Sequence, residues 1–172
     1  MKEQKYAKLA AFGRKLLNQT SLIDGLPLIS EYAKEVIKAD RCSIFIYDTE
    51  DNELWTTLSD GIEKIVVDSK KGIVGHTLAE KKPLIVNDPY SHEHFLSDVD
   101  KASGYVTKNI ITAPIFNSKR QIIGILELLN KESDFDNEDM KFMIFFAHYV
   151  SGFLELSTLY LKEDKRKKKG LK

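Results

Sequence analysis

The stretch from Lys119 to Met143, KRQIIGILELLNKESDFDNEDMKFM, constrains the fold more than any other part of the chain. Ile122 to Leu129 is apolar except for Gly124 and Glu127, and its isoleucine content and single glycine favour a buried strand. One carboxylate, Glu127, sits inside it, and a buried carboxylate is costly unless something donates to it. Asn130 and Lys131 then read as a short polar loop, and Asp136 as the N-cap of a helix. Glu138 and Asp139 suit the first turn of that helix, which runs from Asn137 to Lys162 or beyond. Phe142, Phe146, Tyr149, Phe153, Leu156 and Tyr160 mark one face of it; Met143, Val150, Leu154 and Leu161 mark another. A helix apolar on two sides needs two surfaces to cover it, its own sheet and a second chain.

Upstream, Lys5 to Leu17 has helical apolar spacing, and a second helix follows with Asp24 as cap, Pro27 in its first turn and Asp40-Arg41 at its end. Cys42–Tyr47, Leu54–Leu58 and Ile62–Val67 read as strands joined by polar turns. Ile73–Lys81 reads as a short helix stopped by Pro83, then Pro83–Val86 as a strand. Tyr90 to Gly104 is irregular with a short helix near 95–101, and Asn109–Phe116 pairs with Gln121–Leu129 across a turn. Short connections between consecutive strands imply antiparallel pairing, hence an α+β fold.

The chain has 172 residues and 30% charged side chains, which fits one globular domain. The last eleven residues hold seven basic and two acidic side chains, +5, which leaves −5 on Met1 to Leu161. An acidic body argues against a nucleic-acid surface. Lys165 to Lys169 could touch acidic lipid or nucleic acid, but the simpler reading is a solvated basic helix end. Cys42 is the only cysteine, so neither an intrachain disulfide nor dithiol chemistry is available, and it reads as a small core residue. No run approaches about eighteen uninterrupted apolar residues, so no membrane span is expected and a cytoplasmic location is. His92 and His94 form H-x-H near Asp88 and Asp98, but no third ligand has convincing spacing.

Several motifs together resemble the GAF domains, a PAS-related fold, and most nearly the cyclic-nucleotide-binding members found in phosphodiesterases and bacterial adenylyl cyclases. Arg41-Cys42-Ser43 opens the first strand as it does there, and Gly72-Ile73-Val74-Gly75-His76 is similar to a G-I-A-G-H helix start. The segment from Val99 to Ile110 resembles D-x-x-T-G-[FY]-x-T-[RK]-N-I. Asn130, Lys131, Phe135 and Asp139 fit an N-K…F-x-x-x-D-E signature, with Met140 in place of the final Glu.

The resemblance implies an antiparallel sheet of about six strands, terminal helices on one face and a ligand pocket on the other. It implies a non-catalytic sensor for a small ligand, cAMP or cGMP, with no covalent cofactor. Positions matching ligand contacts are Ser43, Asp60, Ile73, Val74, Leu96, Ser103, Thr107 and Glu127. Lys131 and Asp139 match a salt bridge behind the pocket. Leu96, and Leu58 or Ser59, stand where other members place aromatic rings. The expected organisation is an N-terminal helix over 1–20, a GAF-like domain over 21–162 and a basic tail over 163–172. The terminal helices would pair two chains, with an output domain or partner acting alongside. The alternative is a ligand-free GAF-like module for dimerisation or protein interaction. A GAF-like methionine-sulfoxide reductase is disfavoured by the lone thiol.

Overall fold

Because side chains alternate across a strand, the register of a central pair decides which residues meet which layer. In the computed structural model, which describes residues 2–57 and 64–170, two ten-residue strands form that pair: β1 (Ala39–Asp48) and β6 (Ile122–Lys131). They run antiparallel with Cys42 opposite Leu128, Ser43 opposite Glu127 and Ile44 opposite Leu126. Beside them lie β2 (Glu53–Thr57), β3 (Lys64–Asp68), β4 (Leu84–Val86) and β5 (Ile110–Phe116), giving one six-stranded sheet in the order β3-β2-β1-β6-β5-β4. Every strand pairing among the described residues is antiparallel. The edge strand β4 pairs only up to Thr112, and Pro114, two residues on, has no N–H to extend the ladder.

Cys42, Ile44, Ile46, Ile111, Ala113, Ile115, Leu126 and Leu128 share one face and meet the three long helices, α1 (Lys2–Leu17), α2 (Leu22–Ile37) and α5 (Asn137–Gly170). Phe12 and Leu16 of α1, Leu26, Ile29 and Ala33 of α2, and Met143, Phe146, Val150 and Leu154 of α5 complete a single buried cluster. Gly124 lets β1 and β6 close up here: a Cβ on it would fall 2.6 Å from the Phe45 carbonyl oxygen. α5 is long and apolar enough to cross a bilayer by length and composition. Its Met143, Phe146 and Val150, however, are buried in the core of this domain. The other face carries α3 (Gly72–Glu80), a 3-10 turn (Pro89–Ser91) and the short α4 (Ser97–Ser103).

The sequence reading needs four local corrections. Ser21, not Asp24, caps α2: its Oγ accepts from the Asp24 amide at 3.2 Å and donates to Asp24 Oδ2 at 2.6 Å. Pro27 consequently lies inside the helix rather than in its first turn. The helix ends at Ile37, with Lys38 left-handed, and Asp40 and Arg41 already belong to β1. Asn130 and Lys131 end β6 instead of forming a loop. Asp60, with Leu58 and Ser59, lies outside the described residues.

Candidate functional site

On the face of the sheet turned towards α3, the pairing lines up Thr112, Glu127 and Ser43 as a row across β5, β6 and β1. Apolar clusters flank this polar row. One contains Phe45, Val74 and Ile125, the other Ile73, Val86 and Ile110. Thr112 is fully buried, and its hydroxyl shares a 2.6 Å hydrogen bond with that of Thr77 on α3. Thr77 spends its own proton within the helix, on the Ile73 carbonyl at 2.9 Å, so Thr112 is the donor in the bond that ties α3 to the sheet.

Glu127 is different. Among the described residues its carboxyl makes no hydrogen bond and no ion pair, although the side chain sits deep in the fold with only partial access to water. Burial alone pushes its pKa up to about 7. Cys42, its neighbour on the opposite face of β1, is likewise driven up to about 12, chiefly by burial, and is inert as a thiolate at neutral pH.

Above the row, the first turn of α3 brings buried Ile73 and Val74. No side chain caps that turn, so its leading amides are available to an acceptor. Leu96 is exposed and lies over the same end: a Cβ on Gly72 would stand 3.3 Å from Leu96 Cδ1. Ser43, Ile73, Val74, Leu96 and Glu127 are thus brought to one region. Ser103 and Thr107 are not directed at it. The Thr107 hydroxyl donates to Asp100 Oδ1 at 2.8 Å, while exposed Ser103 accepts from the Tyr105 amide at 3.2 Å.

Asp100 is the residue that sequence reasoning passed over. It is buried, and its Oδ2 accepts from the Tyr90 hydroxyl and from the Thr107 amide, both at 2.7 Å. Burial raises its pKa, but these donors and the Arg41 charge outweigh burial and hold the carboxyl below its usual range. Arg41 lies 3.6 Å over the Tyr105 ring, and Tyr105 donates to Asp40 Oδ2 at 2.8 Å. Residues 90–107 are thereby tied both to themselves and to β1. The signal in the sequence was the pairing of one acid with several hydroxyls across a short irregular segment, which spacing alone does not resolve.

Behind the site the expected brace is present. Lys131 Nζ lies 2.7 Å from Asp139 Oδ2 with both side chains largely buried, and the Asp136 carboxylate caps α5 through the Glu138 and Asp139 amides. Asn109 donates to the Lys131 and Ser133 carbonyls, and Asn87 bonds both backbone polar groups of Phe135. These are structural contacts that hold strand end to helix start. The histidine pair gains a third ring, His76, stacked on His94 at 4.1 Å between centroids, yet among the described residues no group of three ligands is arranged to hold a metal ion.

Comparison with known proteins agrees with this architecture. The chain is 28% identical over 149 residues to a probable 3',5'-cyclic phosphodiesterase, pde-5, of Caenorhabditis elegans; the match takes in 78% of this chain and 20% of the relative. The chain therefore spans about a fifth of that relative's length. The GAF domain of a phosphoenolpyruvate-protein phosphotransferase from Acinetobacter superposes with a TM-score of 0.76 at 18% identity, over 92% of this chain and 98% of that one. The free methionine-R-sulfoxide reductase of Neisseria meningitidis, solved with its substrate, superposes at 0.69 and 18% identity, over 88% and 89% of the two chains. These two likenesses speak to the fold alone. The GAF domain profile matches residues 21–153. With that match over most of its length, the sheet order and the helix placement in agreement, this chain belongs to the GAF domain family.

Proposed function

We propose that this GAF domain is a non-catalytic, cytoplasmic sensor whose ligand is a cyclic nucleotide, cAMP or cGMP, held between α3 and the polar row of the sheet. The observation that carries this reading is Glu127. A half-buried carboxyl with no protein donor among the described residues, and only partial contact with water, is a poor structural element, because lost hydration without a replacing hydrogen bond destabilises the fold. It is a good partner for a base amino or ring N–H group. The uncapped first turn of α3 supplies amides and a positive dipole end for a phosphate. The identity to the phosphodiesterase relative supports the same ligand class. No covalent cofactor is required. The signal would leave through α1 and α5, whose exposed Leu17, Leu156 and Tyr160 suit pairing with a second copy of the chain, coupled to an output domain or partner.

Calorimetric titration with cAMP and cGMP tests the reading. Binding of either nucleotide, weakened by Glu127→Ala with the fold retained, is the expected result. No heat and no melting shift at millimolar nucleotide would end it. A ligand-free dimerisation or interaction module is the second reading. It is favoured by the close packing of Ile73 against Val86 and Ile110, and by the internal use of the Thr107 hydroxyl.

A further inference from the structure

Away from the Glu127 row, a groove of about 780 Å³ opens between the β5–β6 hairpin, the C-terminal end of α3 and the second half of α5. That volume lies within the range of about 300–1,000 Å³ usual for small-molecule sites. Its rim carries Lys81, Lys119, Arg120 and Lys162, delivered by three separate elements. Some lysines elsewhere pair with acids, as Lys34 does with Glu31, Lys141 with Glu138 and Lys168 with Asp164, while others, such as Lys15 and Lys108, stand alone among the described residues; what sets the rim apart is that its cations converge on one concave site. Among the described residues none of the four rim cations forms an ion pair or a side-chain hydrogen bond. The one carboxylate in the groove, Glu155, is already engaged: its oxygens accept from the Ser118 amide at 2.9 Å and the Ser118 hydroxyl at 2.7 Å. Four cations around one carboxylate that already serves Ser118, and that feels the charge of Lys119 alone among them, give a local positive field suited to a multiply charged anion.

The hairpin tip is built to hold its cations in place. Asn117 Oδ1 accepts from the Lys119 and Gln121 amides, both at 2.9 Å, and Ser118 is clamped to α5 through Glu155. Arg120 adopts φ +60°, the left-handed region where glycine or asparagine is the usual occupant. Lys81 on the same rim is left-handed as well, at φ +56°, as is Lys38 at the end of α2, so the turn itself fixes where the Arg120 backbone stands. The floor is apolar, formed by buried Ile122 and half-buried Leu78, with Tyr47 and the more exposed Leu159 alongside. Cationic rim and apolar floor together fit a molecule with a flat ring at one end and several phosphates at the other, and arginine's planar fork suits phosphate oxygens. The concave shape favours such a small molecule over a flat anionic surface.

We infer that this groove is a second ligand site, for an organic polyphosphate of nucleotide size, distinct from the site beside Glu127. The probes are ATP and inorganic tripolyphosphate, titrated calorimetrically into the full chain at low and physiological salt. ATP binding that weakens with salt, falls about tenfold or more in the Arg120→Glu/Lys162→Glu double variant and survives Glu127→Ala is the expected result. Tripolyphosphate should compete with ATP but bind less tightly, since it lacks the ring. Absence of heat at millimolar ATP, equal binding by the charge-reversed variant, or loss of ATP binding in Glu127→Ala would each overturn the inference. An unchanged melting temperature in the double variant confirms that it is folded. Because cyclic-nucleotide binding should persist when the groove is charge-reversed, failure here and failure of the proposal above are separable.

Discussion

The helical face of the sheet and the face under α3 bury comparable side chains in different ways. On the helical face one continuous cluster runs from Phe12 through Ile29, Ile44 and Leu126 to Leu154. Under α3 there are two smaller clusters, parted by Thr112, Glu127 and Ser43. A continuous apolar core gains from every neighbour and resists any local opening. A face split by a polar row, with one carboxyl left without a donor, holds its cover less tightly. That asymmetry suits a domain in which one side keeps the fold and the other exchanges its contents.

The largest effect should follow from emptying the centre of the helical face. Phe146 is fully buried and stacks with Tyr32 at 5.4 Å and Phe142 at 5.3 Å, with Phe12 at 5.5 Å. Phe146→Ala should cost about 3–5 kcal/mol in chemical denaturation. Domains of ordinary stability have only about 5–15 kcal/mol in total. A loss below about 1 kcal/mol would mean that α1, α2 and α5 do not form one cooperative layer, and the contrast between the faces would fail.

An intermediate effect is expected at Glu127, and pH sets its sign. Burial raises the folded pKa to about 7, above the ordinary value of 4.5. Below the ordinary value the carboxyl is protonated in both the folded and unfolded states and imposes no penalty. As pH rises from about 4.5 to about 7, the unfolded chain ionises while the folded chain does not, so stability falls. Glu127→Gln removes that slope. Allowing for the residue's partial contact with water, the variant should gain roughly 2 kcal/mol at pH 8 and nothing at pH 4. Melting curves across this range decide it. Equal stability of the two proteins at pH 8 would show that Glu127 has found a donor.

How far the sequence anticipates these two faces depends on the kind of contact. The helical face is written in periodicity: Leu26, Ile29, Ala33 and Ile37 repeat at helical spacing, while β5 and β6 are near-continuous apolar runs whose pairing follows from the short turn between them. Glu127 stands out because an acid interrupts an apolar strand. Ser21 and Asp24 both suit the N-cap role, and only the fold shows that the backbone turns first at Ser21. The segment over residues 90–107, the lid on the α3 side of the sheet, is less legible. Its ties join Asp100 to Tyr90 and Thr107, and Tyr105 to Asp40, over separations with no period. His76 likewise meets His94 only after α3 has folded back over the sheet.

The smallest effect should come from the lid, and it separates local from global stability. In Asp100→Asn the amide oxygen can replace Oδ2, keeping the Tyr90 hydroxyl and the Thr107 amide, while the amide NH2 can donate to the Thr107 hydroxyl in place of Oδ1. Only the charge and its attraction to Arg41 are lost. The change should be below about 1 kcal/mol. Asp100→Ala removes every acceptor and leaves the Thr107 amide buried without one, so amide hydrogen exchange over residues 97–108 should quicken by roughly tenfold or more. The melting temperature of either variant should fall far less than that of Phe146→Ala. If Asp100→Ala instead lowers global stability as much as emptying the helical core does, the lid is part of the same cooperative unit. Ligand entry would then require unfolding the domain rather than opening one face of it.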